Sequence, residues 1–418
     1  MISLFRTEAH ARLPAGALAS VLAGVLAGAL LLPAAALAGS ADVENHMGSA
    51  VAAQLNGDFD GASASFEAAL KAAKDFNPGD PRLGDIFHGL AVAKRSAGKL
   101  KDAEPYFKLA LLVREQGLGR MHLDVAATLT ELAEYHRMRG QSSEAVDAAK
   151  RSLSIRETVL GTEHMAVAAS QGQLANIFMD GGDYQSAVGH AERSLDLMER
   201  ALNPDHPSVA QAIDRLAKAY RFTGRYGEAE ALLQRALEIR EKASGRYSLG
   251  VVPSLDSLAA LYLDQNRLGE AAAYLEEALA FRAEPPGAPL PEVAESLDSL
   301  AGVYRAQGRF DEARRLLGES LALRRKALGD AHPGVAVSLD QLSRLSHQEG
   351  RLQEAESLLQ QALEIRERAL GDGHPDLVQS LESYAALLRE TGRANDALRL
   401  EARARAIRTS QEARRPAW

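Results

Sequence analysis

A tight-turn residue recurs along this chain at a step of 42 residues, and this periodicity constrains the fold more than any other feature. The residue is glycine in all copies but one, where it is asparagine, and an alanine follows five positions later each time. Glycine and asparagine tolerate a positive φ best, so we predict a left-handed backbone conformation after a helix end at every copy. With one step of 41 at the N-terminal end, the positions are Gly57, Gly98, Gly140, Gly182, Gly224, Asn266, Gly308, Gly350 and Gly392.

Apolar residues lie at helical spacing on both sides of each turn. A leucine stands eight positions before the turn in most copies, as at Leu258 and Leu300, and another stands thirteen positions after it, as at Leu279 and Leu321. This spacing predicts a helix, a tight turn and a second helix in every repeat. The small alanine after the turn predicts that the two helices cross with their backbones close together.

The pattern of Leu-Ala, aromatic residue, turn and alanine, as in "SLAGVYRAQGRFDEA", resembles the tetratricopeptide repeat (TPR), whose usual period is about 34 residues. The longer second helix, as in "ALEIRERALG", is similar to the repeats of kinesin light chain and related bacterial proteins. The resemblance implies an all-α, right-handed superhelical solenoid of about nine helix-turn-helix repeats. We place this solenoid at residues 39–408 and expect a disordered tail at 409–418.

The N-terminal segment has the layout of a secretory signal peptide. Arg6 and Arg12 precede an uncharged apolar stretch, and small residues follow at Ala36 and Ala38. We therefore predict a leader at residues 1–38 that is cleaved after Ala38, which makes the mature protein periplasmic or secreted. The alternative is an uncleaved anchor in the inner membrane, because about 18 apolar residues just span a bilayer.

Composition and motifs favour a protein without catalytic or cofactor chemistry. The chain has no cysteine, a net charge of −8 and no basic block, so we expect neither thiolate metal sites nor nucleic acid as a partner. It holds no Gly-rich phosphate loop, no His-Glu-x-x-His and no Gly-x-Ser-x-Gly. We predict a non-enzymatic protein with no cofactor and no metal.

The stretch "GDGHPD" near the C-terminus raises the question of a metal site, because Asp372, His374 and Asp376 alternate as ligands could. The histidine recurs with the 42-residue step, which places equivalent imidazoles one repeat apart, about 8–10 Å or more. Two ligands of one zinc ion each lie within about 2.1 Å of it. We therefore interpret the stretch as a helix–helix connector, in which the acidic residue before the histidine can cap the next helix.

Stacked two-helix repeats line their concave groove with the first helix of each pair. Residues ten, six and three positions before the turn fall on one face of that helix and form an acidic row beside a basic row. We predict that a peptide binds here, with the basic residues Arg221, Arg305 and Arg389 contacting a carboxylate-bearing segment. The predicted groove residues are Arg137, Asn176, Asp214, Lys218, Arg221, Asp256, Asp298, Arg305, Asp340, Arg344, Glu382 and Arg389.

Two alternatives stay open from the sequence. The charges of the two rows can pair between neighbouring repeats and fix the curvature, or they can contact a ligand. The leading functional hypothesis is a scaffold or adaptor that binds a protein or peptide partner in the groove. The second hypothesis is a structural component of an envelope or secretion assembly that contacts partners through its convex face or its ends.

Overall fold

A computed structural model describes residues 34–283, 290–374 and 376–413, with side chains described within 41–409. In these residues the chain forms eighteen α-helices and two short 3₁₀ helices, and no strand occurs among them. The all-α prediction is confirmed. The predicted leader lies almost entirely outside the described residues, as does Pro375 of the connector. Among the helices described, none is long and apolar enough to cross a membrane.

The first compact unit of the chain extends from Met1 to Leu202. Its helices alternate between a first and a second helix of each repeat, and each second helix before the last of the unit also packs against the first helix that follows. The bounds are α1 Ala34–Leu55, α2 Phe59–Ala72, α3 Pro81–Ser96, α4 Leu100–Leu118, α5 Leu123–Met138, α6 Ser142–Leu160, α7 Met165–Asp180 and α8 Tyr184–Ala201, with a 3₁₀ turn at Ala73–Asp75.

The second unit extends from Asn203 to Trp418 and repeats the same alternation. Its last helix continues past the predicted end of the solenoid at 408. The bounds are α9 Pro207–Phe222, α10 Tyr226–Ser244, α11 Val252–Asp264, α12 Leu268–Ala283, α13 Leu290–Ala306, α14 Phe310–Leu328, α15 Pro333–Gln348, α16 Leu352–Leu370, α17 Leu377–Glu390 and α18 Ala394–Ala413, with a 3₁₀ turn at Leu249–Val251.

The turn inside each repeat has the backbone conformation that the sequence predicts. All the recurring glycines have a positive φ, and Asn266 has a φ of 56°, the one positive value among the described non-glycine residues. The alanine five positions later is fully buried in every copy, for example Ala271 and Ala313 at 0% exposure. The small side chain thus lies where the paired helices approach most closely.

The connector between repeats ends the long helix at its glycine, as the Gly-Asp sequence predicts, but the cap of the next helix was assigned to the wrong residue. A second set of positive-φ glycines ends the long helices, as at Gly329 and Gly371, with φ near 80° in each. The acidic residue after that glycine does not cap the next helix. The histidine does: the Nδ1 atom of His332 accepts a hydrogen bond from the backbone N–H of Gly334 at 3.0 Å.

The same histidine cap recurs at His122, His164 and His206, and at His374 the equivalent bond comes from the N–H of Asp376 at 3.2 Å. These imidazoles therefore satisfy backbone donors at the start of first helices. Among the described residues, no group of three or more histidine and acidic side chains is arranged to hold a metal ion. The connector interpretation of "GDGHPD" accounts for each histidine.

Candidate functional site

The acidic row of the second unit is held by arginines, most of them largely buried, that the sequence analysis did not single out. Arg324, on the second helix α14, donates to the carboxylate of Asp298 on the first helix α13 of the same repeat. It also donates to the hydroxyl of Ser338, 2.6 Å away on α15, the first helix of the next repeat. We call this carboxylate–arginine–hydroxyl arrangement the arginine staple, since it joins three helices.

The arginine staple recurs through the second unit at constant sequence offsets. Each arginine follows its carboxylate by 26 residues and precedes its hydroxyl by 14. Arg408 is the last, and its carboxylate Glu382, 2.6 Å away, completes the series without a hydroxyl. The other sets are Asp214–Arg240–Ser254, Asp256–Arg282–Ser296 and Asp340–Arg366–Ser380.

Burial makes the staple energetically consequential. The side chains of Arg324 and Asp298 are 7% and 10% exposed, so both charges have lost most of their hydration. The ion pair between them replaces the interactions with water. Removing one member of such a pair costs about 3–5 kcal/mol, because the other is left buried and uncompensated. Burial also raises the pKa of Asp340, and the nearby Arg366 opposes that rise.

In the first unit the arrangement is present but incomplete. Arg114 contacts Asp85 and the hydroxyl of Thr128, both at 2.7 Å, and Asp85 lies one helical turn before the usual acidic position. Arg156 contacts Ser170 but no carboxylate of the described residues, and burial lowers its pKa. In the last repeat of this unit, Met198 stands at the arginine position.

The basic row has a different set of partners, which lie on the next first helix. In the second unit the Nε atom of Arg221 is 2.7 Å from Asp264, and Arg305 donates to Gln348 at 2.9 Å. In the first unit Arg137 contacts Asp180 and also Glu134. The two predicted rows therefore do not pair with each other: the acidic row pairs within its repeat, and the basic row pairs along the array.

Arg389, on the last first helix that the structure describes, departs from this rule. Its guanidinium pairs instead with Glu401 on α18, at 2.6 Å. Glu401 stands where earlier repeats have a leucine, so the last second helix supplies a polar partner in place of an apolar contact. Most of the predicted groove charges are thus engaged in contacts that hold helices together.

A few predicted groove residues keep free polar groups. Lys218, Arg344 and Asn176 are exposed, and no hydrogen bond or ion pair of their side chains occurs within the described residues. Arg305 has only the neutral amide of Gln348 as a partner. Its pKa is lowered, first by burial and then by the adjacent positive charge of Arg344. These two guanidinium groups form a cationic pair on α13 and α15; the charge of Arg344 also acts on Asp340, a carboxylate that is already paired with Arg366.

A cavity of about 200 Å³ opens on the same face, between α11, α12 and α13. Ala260 and Leu263 give it an apolar side, and Leu263 is 39% exposed. Glu295 and Ser299 of α13 line the opposite side. Ser299 and Arg305 lie six residues apart on α13, about 9 Å along the helix axis and about 120° around it, so the cationic pair lies beside the cavity on that helix.

A model of the tetratricopeptide repeat family matches residues 84–158, 165–242, 213–284, 292–368 and 341–410, which together span more than half of the chain. The protein therefore belongs to the tetratricopeptide repeat family, whose fold is generally a non-catalytic interaction scaffold. No curated protein sequence matches the chain significantly.

Several solved structures are similar to the chain. The apo form of the quorum sensor NprR from B. thuringiensis aligns with a TM-score of 0.57 at 11% identity, over 88% of this chain and 98% of that one. Aspartyl phosphate phosphatase F from Bacillus subtilis aligns with a TM-score of 0.51 at 12% identity, over 91% and 96%. Both likenesses show the solenoid fold alone.

The structure of a Podosopora anserina protein with nearly identical TPR-like repeats, described as a kinesin light chain, is 30% identical to this chain. That alignment covers 49% of this chain and 97% of that one, with a TM-score of 0.44. The prediction of a tetratricopeptide repeat protein is confirmed, and kinesin light chain occurs among the names of its structural neighbours.

Proposed function

We propose that this protein is an exported, non-catalytic scaffold that binds a peptide segment of a partner on the first-helix face of its second unit. We define this face by α11, α13 and α15. One contrast supports the proposal most directly. Most charges of the array form ion pairs, yet within the described residues Arg344 is exposed without a hydrogen bond or ion pair and Arg305 has only a neutral partner, beside an open cavity.

The chemistry of the face fits an extended segment that carries a carboxylate. A carboxylate placed between Arg305 and Arg344 would compensate two like charges, and such charge-assisted hydrogen bonds are the stronger ones in proteins. The aliphatic surface of Ala260 and Leu263 would bury an apolar part of the same segment. Export rests on the sequence of the N-terminal leader.

Two glycines of one repeat give a matched test. Gly302 on α13 lies on the proposed face, whereas Gly318 on α14 is exposed on the second helix. A Cβ added at either position would meet no atom within 4 Å, so Gly302→Trp and Gly318→Trp should both fold. A tryptophan at 302 would fill the face, and one at 318 would leave it open.

The full chain is used to select binders from a phage-displayed library of random peptides. We expect the selected peptides to bind the Gly318→Trp variant as they bind the wild type and to lose at least about tenfold in affinity for Gly302→Trp, about 1.4 kcal/mol. Equal binding to both variants, or the absence of any selected peptide, would reject the groove function.

The alternative, an assembly component that uses its second helices, is favoured by one observation. Leu109 and Leu112 on α4 are 39% and 50% exposed, which places two large apolar side chains on the surface of a second helix. In that case, replacing both leucines by serine would abolish association with the partner, whereas Gly302→Trp would leave it intact.

A further inference from the structure

The cavity between α11 and α13 has an excess of negative charge. Asp256 and Arg282 belong to one arginine staple and compensate each other, with 2.5 Å between their closest atoms. Glu295 is exposed, and its carboxylate has no hydrogen bond or ion pair within the described residues. The charge that remains for a ligand is therefore the single carboxylate of Glu295.

The walls of the cavity suit a long aliphatic stem. Ala259 and Ala260 leave the space open, while Leu263 and Leu275 add apolar surface. Lysine and arginine combine such a stem with a charged head, and they bury the stem along apolar surface while the head reaches a polar group. At the rim, Glu295 and the hydroxyl of Ser299 are the acceptors that such a head requires.

Arg305 of the cationic pair lies farther along the same helix as Glu295 and has the opposite charge. Glu295 and Arg305 are ten residues apart on α13, a separation of about 15 Å along the helix axis at 1.5 Å per residue. An extended peptide advances about 3.3 Å per residue, so it covers that distance in four to five residues.

We infer that the partner segment is zwitterionic: a lysine or arginine side chain enters the cavity toward Glu295, and an aspartate or glutamate about four to five residues away contacts Arg305 and Arg344. This inference rests on the proposed function and specifies its ligand. The two opposite charges also fix the direction of the peptide, because the reversed chain would bring like charges together at both ends.

Charge exchange tests the inference. Peptides selected by the wild-type full chain are measured by fluorescence anisotropy against the wild type, Glu295→Lys and the control Glu238→Lys. Glu238 is an exposed residue of the second helix α10 that has no ion pair in the described part of the chain. Both reversals affect exposed positions, where a substitution usually changes stability little.

We expect the selected peptides to share a basic residue at the stated spacing from an acidic one. Glu295→Lys should weaken their binding by about tenfold or more, and replacing the peptide's basic residue by glutamate should restore binding to this variant. Glu238→Lys should bind like the wild type. A purely structural role of Glu295 would not give this restoration.

Two results would overturn the inference. One is a set of selected peptides that lack the basic residue, and the other is unchanged binding to Glu295→Lys. If such peptides still lose affinity for Gly302→Trp, the groove function stands and only its ligand chemistry is wrong. If they bind Gly302→Trp unchanged, the proposed function fails as well.

Discussion

The guanidinium of Arg324 lies in a direct ion pair with the carboxylate of Asp298, 26 residues earlier, and both side chains are almost completely buried. The same guanidinium reaches Ser338 at 2.6 Å, so one side chain joins helices α13, α14 and α15. This relationship links two consecutive repeats through polar contacts in an otherwise apolar interface. It is also the contact whose removal has the clearest expected consequence.

Replacing Arg324 by methionine should destabilise the second unit by about 3–5 kcal/mol, because Asp298 is left buried without its counter-charge. The measurement is the free energy of unfolding from urea titration followed by circular dichroism. Arg325→Met is the matched control. Arg325 lies next in sequence, exposed and paired with Asp330 at the surface, so its loss should cost about 0–1 kcal/mol.

Removing the whole staple should cost less than removing one member. The variant with Arg324→Met, Asp298→Ala and Ser338→Ala leaves no buried charge, and it should regain most of the stability that Arg324→Met loses. Met198 and Gly172 occupy the arginine and acidic positions in another repeat of the same chain, so apolar replacements are compatible with the repeat. A triple variant less stable than Arg324→Met would contradict this expectation.

Acid should destabilise the first unit through His88. Burial, Arg114 and Arg95 together lower the pKa of this histidine from 6.5 to about 3. As the pH falls, His88 is therefore protonated at a higher pH in the unfolded chain than in the folded one. The contribution of His88 to stability is lost progressively below about pH 6.5, with a limiting slope of about 1.4 kcal/mol per pH unit.

The His88→Gln variant should remove this part of the pH dependence. Between about pH 7.5 and pH 5, His88 should cost the wild type about 2 kcal/mol of its free energy of unfolding. The variant should not lose this amount, because glutamine does not titrate. Urea unfolding of both proteins at the two pH values gives the difference directly. Parallel pH profiles for wild type and variant would contradict the assignment.

Asn266 should tolerate replacement by glycine but not by alanine. Its φ of 56° is left-handed, which glycine adopts freely and alanine adopts at a cost of about 1–2 kcal/mol. We therefore expect Asn266→Ala to lower the melting temperature and Asn266→Gly to maintain it. The neighbouring Gln265 has an ordinary φ of −87°, so Gln265→Ala should have little effect through the backbone.

The histidine caps give a prediction that separates a cap from a metal ligand. His332→Ala should cost about 1 kcal/mol, because the N–H of Gly334 loses its acceptor. His332→Ser should recover most of that loss, since serine is a good N-cap residue but a poor zinc ligand. Failure of serine to restore stability, together with stabilisation by added zinc, would favour a metal role.

The repeat architecture could be predicted because it depends on residues close in sequence. A positive φ after a helix restricts the position to glycine or asparagine, and a close helix crossing restricts it to alanine. The residue type at these positions therefore indicates the local geometry. The partners of the groove charges were harder to predict. A row of like side chains indicates that they share a helix face, but it does not indicate which residues they contact. The partners of Arg305 and Asp298 lie 43 and 26 residues away.

The stretch "EIRER" shows where sequence reasoning stops. Glu364 and Arg368 form the exposed i,i+4 pair that the spacing predicts. Arg366, between them, turns inward and pairs with Asp340 at 2.6 Å. The two arginines differ in the side of the helix that they occupy: Arg366 faces Asp340 of the preceding first helix, and Arg368 faces solvent. The 42-residue recurrence of Arg240, Arg282, Arg324, Arg366 and Arg408 was the available signal.

Each staple takes its carboxylate and arginine from one repeat and needs only a hydroxyl from the next. An in-frame duplication of one 42-residue block would therefore lengthen the protein without requiring a new interface, so the gene can grow or shrink by whole blocks. Because the blocks are interchangeable in this way, a staple does not distinguish between one following repeat and another. The short connectors must then keep the blocks in order while the chain folds.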